Sequence, residues 1–158
     1  MAIYMKFGGV EGGVTTEGYK GWIELNSFQY GVNRHVSSGA GGATRESSAP
    51  AFSDIVVTKH NDVSSSKLYQ DSVAGTFDTK VTIKMTTTTK NKVETFLTFD
   101  LKDCGVASYS LSSGGDLPME SLSLNFTNIQ VTPTPLDHTG QIKKGAVVGY
   151  DLKAMKAS

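Results

Sequence analysis

His60 and Asp62 stand two residues apart on an extended stretch, so both side chains face the same side. An imidazole and a carboxylate on one face begin a divalent-metal site, but such a site needs a third and fourth ligand, and the nearby sequence supplies none. The pair reads as two polar residues at the surface. Asp137 and His138 lie in a segment with Pro and Gly and read as a turn. Serines are abundant, yet none sits in a Gly-x-Ser-x-Gly frame that would raise a nucleophile. A Ser-His-Asp triad drawn from distant positions is the weakest reading. Gly39-Ala40-Gly41-Gly42-Ala43-Thr44 lacks the Gly-Lys-Ser/Thr ending of a phosphate-binding loop, and no suitable helix follows. It reads as a flexible loop. Cys104 beside Gly105 reads as a small buried or half-buried residue at a strand break. Asn125-Phe126-Thr127 matches a glycosylation acceptor only formally, because it falls in an expected core strand. Trp22, Phe28 and Tyr30 could form a sugar-stacking platform, although packing on a bent strand is the simpler role. No catalytic, metal or cofactor residue is assigned, and the expectation is a scaffold rather than an enzyme.

Composition points the same way. A chain of 158 residues has room for one ordinary domain with a sizeable core, expected to span residues 1–158. Lys plus Arg and Asp plus Glu each number 15, so no excess charge draws the chain to nucleic acid or anionic lipid. Three His and one Cys leave little for a metal site or a disulfide. The N-terminus, MAIYMKFGGVEGG, has no basic segment followed by an apolar run, and no apolar stretch approaches the roughly 20 residues that span a bilayer. Synthesis in the cytoplasm is expected, without membrane insertion, and export would proceed without a signal peptide.

The elements that must position these residues are nearly all strands. Ala2 to Val10 reads as the first, ended by Gly8, Gly9, Gly12 and Gly13. In Tyr19 to Asn33, Ile23 and Leu25 keep one phase, and Phe28, Tyr30 and Val32 keep the other. That shift predicts a bulge near Asn26-Ser27 and a strong bend. His35 to Pro50 is Gly- and Ser-rich and predicts a long exposed loop. Phe52 to Thr58 is a strand leading into the one helix, about residues 65–74. Ser65 is expected to cap that helix, Gly75 to end it in the left-handed region, and Leu68, Tyr69, Ser72 and Val73 to form its packing stripe. Val81 to Met85 and Leu97 to Leu101 alternate about a Lys90-Asn91-Lys92 turn and predict a hairpin. Val106 to Leu111 continues the second strand after a break at Asp103-Cys104-Gly105. Met119 to Val131 and Ala146 to Leu152 complete about eight or nine strands. An antiparallel β-barrel or sandwich with one short flanking helix buries one face of each.

The order of segments resembles a known family. Gly18-Tyr19-Lys20-Gly21-Trp22-Ile23-Glu24-Leu25 followed by an aromatic-x-aromatic pair, and Thr58-Lys59-His60-Asn61-Asp62-Val63-Ser64-Ser65 with Leu68, are similar to the haemolysin-coregulated proteins, the tube subunits of type VI secretion systems. Val106-Ala107-Ser108-Tyr109-Ser110, Glu120-Ser121-Leu122-Ser123-Leu124-Asn125-Phe126 and Gly149-Tyr150-Asp151-Leu152 extend the resemblance over essentially the whole chain. Ser66, Pro133 and Tyr150 depart from residues common in the family.

The resemblance implies a flattened barrel assembled as a homohexameric ring. Rings stack into a tube that a contractile sheath expels from the cell, with a VgrG-type spike at its tip and effectors in its lumen. Within the long loop, Arg34, His35, Arg45 and Glu46 become the expected contacts between rings. Gln29, alternating with Phe28 and Tyr30, becomes the expected lumen residue. No fused domain is expected beyond Ser158. A monomeric β-sandwich carbohydrate- or protein-binding module and a phage-type tail tube subunit stand as the alternative readings.

Overall fold

The computed structural model describes residues 1–37, 46–135 and 145–157. Ten strands belong to one hydrogen-bonded sheet that folds into two layers. The wide layer begins with β1 (Ala2–Phe7), which pairs antiparallel with β2 (Ile23–Leu25). The chain then turns at Asn26 into β3 (Ser27–Gln29), which has a different neighbour. The expected phase shift is therefore a corner between layers: Ile23 and Leu25 are buried on one side of it and Phe28 packs inward on the other.

Two short ladders follow. β4 (Val32–Asn33) and β5 (Val36–Ser37) lead out, and β6 (Glu46–Ser47) and β7 (Ala51–Phe52) lead back. β4 pairs with β7 and β5 with β6, so the described part of the expected loop is a two-stranded arm. β8 (Ile55–His60) then pairs with β3 and enters α1 (Ser65–Ala74).

The helix departs from expectation at both ends. Ser64, not Ser65, is its N-cap, and the Asp62 carboxylate accepts from both the Ser64 amide and hydroxyl. Gly75 is extended (φ −70°) rather than left-handed; a Cβ there would lie 2.4 Å from the Asp71 carbonyl oxygen, so close approach is what favours glycine. Of the expected stripe only Leu68 is fully buried, while Tyr69 and Val73 face solvent. The Asp71 carboxylate pins the helix to the sheet by accepting from the Val106 amide at 2.8 Å.

β9 (Thr79–Thr89) and β10 (Lys92–Ser112) form the expected hairpin, with Lys90 and Asn91 both at positive φ as a two-residue hairpin turn requires. β10 is one bent strand, not two. Its first half lies in the wide layer between β9 and β12 (Asn128–Pro133), and its second half pairs with β11 (Met119–Asn125). The bend is at Asp103, at positive φ, where the register with β9 shifts. Extra residues unpair the ladder and let the strand change layers. Met119 to Val131 likewise divides at Phe126-Thr127 into β11 and β12, one in each layer. β13 (Val148–Asp151) and β14 (Lys156–Ala157) finish the wide layer.

The narrow layer is β10–β11–β8–β3, and the wide one β2–β1–β9–β10–β12–β13–β14. One core joins them, with Phe28 of the narrow layer 4.7 Å by ring centroids from Phe99 of the wide one. This is the sandwich of the expected pair of architectures. The ladder does not close into a barrel among the described residues, because three-residue β2 and β3 meet only through the Asn26 corner and pair with different neighbours.

Candidate functional site

Alternation on the narrow layer sends Ile55, Val57, Leu122 and Leu124 into the core and their neighbours outward. The register aligns the outward residues in two rows across four strands. One row is Ser27, Thr58, Ser121 and Ser110; the other is Gln29, Val56, Ser123 and Ser108. None of the eight carries a charge. Ser27 and Thr58 hydroxyls bond each other at 2.5 Å. Gln29 is exposed here, pointing away from Phe28 and the core as expected.

Arg34 and His35 are exposed between β4 and β5 at the base of the arm. Two serines tie that base together. The Ser53 hydroxyl accepts from the Gly31 amide at 3.0 Å and donates to the Gly31 carbonyl at 2.9 Å, and Ser48 does the same with His35 at 3.1 and 3.2 Å. Glu46 pairs with Ser37 through the backbone. Arg45 lies outside the described residues, as do Asp137, His138 and the loop 39–44. Beside the arm, Tyr30, Val32, Phe52, Val131, Val148 and Tyr150 line an apolar groove of about 310 Å³.

His60 and Asp62 line one pocket but do not form a metal site. His60 is exposed, whereas Asp62 ion-pairs with Lys59 at 2.9 Å. Among the described residues no three His, Cys, Asp or Glu side chains converge. Cys104 is fully buried at the β10 bend, and burial pushes its thiol up to about 12. Phe28 and Tyr30 pack on Phe99, but Trp22 is not core: it stands half-buried on the outer side of the wide layer, edge-on to Tyr19 and 5.5 Å from the Lys84 ammonium. Asn125 ends β11 exposed and donates to Asp54 at 3.0 Å, so it is not a core residue either.

One cluster escaped the sequence reading. Lys59 and Glu120 are completely buried and paired at 2.6 Å. The Lys59 ammonium also donates to the His60 carbonyl at 2.9 Å and the Ser65 hydroxyl at 3.2 Å, while Glu120 accepts from Ser65 at 2.8 Å and from the Tyr109 phenol. Burial, then the Glu120 carboxylate, pushes the Tyr109 phenol up to about 12. The signal was present in the alternation, since Lys59 continues the inward series Ile55, Val57 and Glu120 begins the inward series Leu122, Leu124.

No helix among the described residues is long and apolar enough to cross a membrane. A comparison with curated proteins gives no match. Among solved structures, the fold is similar to a type six secretion system protein (25% identity, 99% of each chain covered, TM-score 0.92). It is also similar to Hcp1 from Salmonella typhimurium (20%, all of each chain, TM-score 0.76) and to a type VI secretion system effector from Yersinia pestis (16%, 94% of this chain and 98% of that one, TM-score 0.70). The profile of the family described as type VI secretion system effector, Hcp, matches residues 4–132. The chain therefore belongs to the Hcp family of the type VI secretion system.

Proposed function

We propose that this chain, acting as one domain over residues 1–158, is the tube subunit of a type VI secretion system. Six copies close into a ring, rings stack into a tube, and the lumen holds effector proteins during export to the extracellular space. A ring needs a contact between two different patches of one chain that repeats and returns on itself, and a sheet-rich protomer with open strand edges suits that geometry. Zero net charge lets identical rings approach without strong mutual repulsion.

The observation that carries this reading, beyond family membership, is the uncharged outer face of the narrow layer. Such a face suits the inside of a channel, where cargo of any charge must be tolerated, and Gln29 lies on it. Arg34, His35, Arg45 and Glu46 are proposed to reach the adjoining ring through the arm. The sheath outside, the VgrG-type spike at the tip and effectors inside complete the set of partners.

Solution mass is the test. A particle near six times the 16.8 kDa protomer, annular in images, is expected. Gln29→Trp should then reduce effector retention while the rings persist. Lone protomers at high concentration overturn the reading, and a Gln29→Trp chain that no longer forms rings overturns the lumen placement alone.

A further inference from the structure

We propose that the buried Lys59–Glu120 pair is a register lock: it selects which residues of β8, β11 and α1 face one another, rather than adding net stability. The need for such a device follows from the strand sequences. A one-residue slip between β8 and β11 is already forbidden, because it would turn every apolar side chain outward. A two-residue slip is not. Ile55 and Val57 on one strand and Leu122 and Leu124 on the other are interchangeable, so sliding by two keeps apolar groups inside.

Lys59 and Glu120 break that degeneracy. In the observed register they are directly opposite each other. A slip by two in one sense sets Glu120 against Val57. In the other sense it sets Lys59 against Leu122. Lys59 keeps Asp62 of its own segment at 2.9 Å in either case, but the fully buried Glu120 carboxylate is left without its cation, which is among the most costly defects in a protein interior. The observed arrangement leaves none: Glu120 receives Lys59, Ser65 and Tyr109, so β8, β11, the start of α1 and β10 meet at one point. A buried ion pair is often no better for stability than well-packed apolar residues, and its best-attested use is fixing register. The lock also decides which hydroxyls line up on the outer face, because Thr58 and Ser121 are neighbours of the pair on the same two strands.

Disulfide trapping in the full-length chain reads the register directly. Thr58→Cys with Ser121→Cys reports the observed alignment, and Val56→Cys with Ser121→Cys reports a two-residue slip. Native Cys104 is buried with its thiol raised and does not compete. In the otherwise unchanged chain the first pair should bridge at least about 100-fold more than the second. In a Lys59→Met/Glu120→Leu background the thermal midpoint should stay within a few degrees of the parent, while the preference falls below about tenfold. A preference still above about 100-fold in that background overturns the proposal. So does a double variant that fails to fold or melts as low as Lys59→Met alone, since the pair would then be holding stability. Neither readout depends on ring formation.

Discussion

The outward faces of the two layers are built by the same alternation and differ in kind. Across the wide layer one row runs Glu24, Tyr4 (covered by the stacked Tyr19 ring), Lys84, Thr98 and Thr132, and the next runs Lys6, Thr82, Asp100 and Gln130. Each row carries at least two charges, and the Asp100 carboxylate accepts from Thr82 at 2.9 Å. The corresponding rows of the narrow layer carry hydroxyls, one amide and one valine. Solvation alone is satisfied by the first pattern, which is an ordinary protein surface. The second keeps polarity while giving up charge, and that suits a wall past which other chains must slide. Inside, the contrast reverses: the wide layer buries mainly apolar side chains, with the Thr86 hydroxyl donating to the Ala2 carbonyl, whereas the narrow layer buries an ion pair.

The largest expected effect tests that inner contrast. Lys59→Met leaves Glu120 buried without its cation and should lower stability by roughly 3–5 kcal/mol in denaturant unfolding. A loss no larger than that of a surface change would mean the cluster is wetter than its burial indicates. Next, the two outer faces can be set against each other under the tube reading. Ser123→Glu, repeated six times in a ring, should change retention of a charged effector by about tenfold in co-purification, and Thr98→Glu on the wide layer should leave it unchanged. Equal effects would dissolve the distinction between the faces. Within the wide layer, Ile83→Val removes one methylene from a fully buried site and should cost about 0.5–1.5 kcal/mol by the same unfolding measurement. The smallest effect is alkaline. The folded chain holds the Tyr109 proton more tightly than the unfolded chain, whose phenol titrates near 10. Its contribution is therefore complete below that pH and is lost as pH climbs toward about 12. Tyr109→Phe should flatten the fall in unfolding midpoint over that window, and an unchanged slope would detach Tyr109 from the cluster.

Much of this architecture was legible in advance because strand alternation is a local signal. Ile23 and Leu25 against Phe28 marked the corner, Lys90-Asn91 marked the hairpin, and the outward position of Gln29 followed from its neighbours. What was misread depended on contacts from elsewhere in the chain. Ser65 looked like a cap, but Glu120 and Lys59 take its hydroxyl into the interior. Gly75 looked like a left-handed terminus, but the Asp71 carbonyl crowds it. Trp22 looked like core, but it lies on the outer side, next to Lys84. In sequence the arm reads as a loop, because Val36-Ser37 and Glu46-Ser47 are too short and polar to announce a ladder.

From residue order alone came the long strands, their inward and outward sides, and the one helix of the described residues, since these depend on a repeat of two or of 3.6 residues within a short window. Only the tertiary structure decided that one strand, β10, serves both layers, that the sheet bends without closing among the described residues, and that Lys59 meets Glu120. Pairing joins residues far apart in the chain, and many pairings satisfy the same apolar pattern. The choice among them rests on where the few buried polar groups find partners.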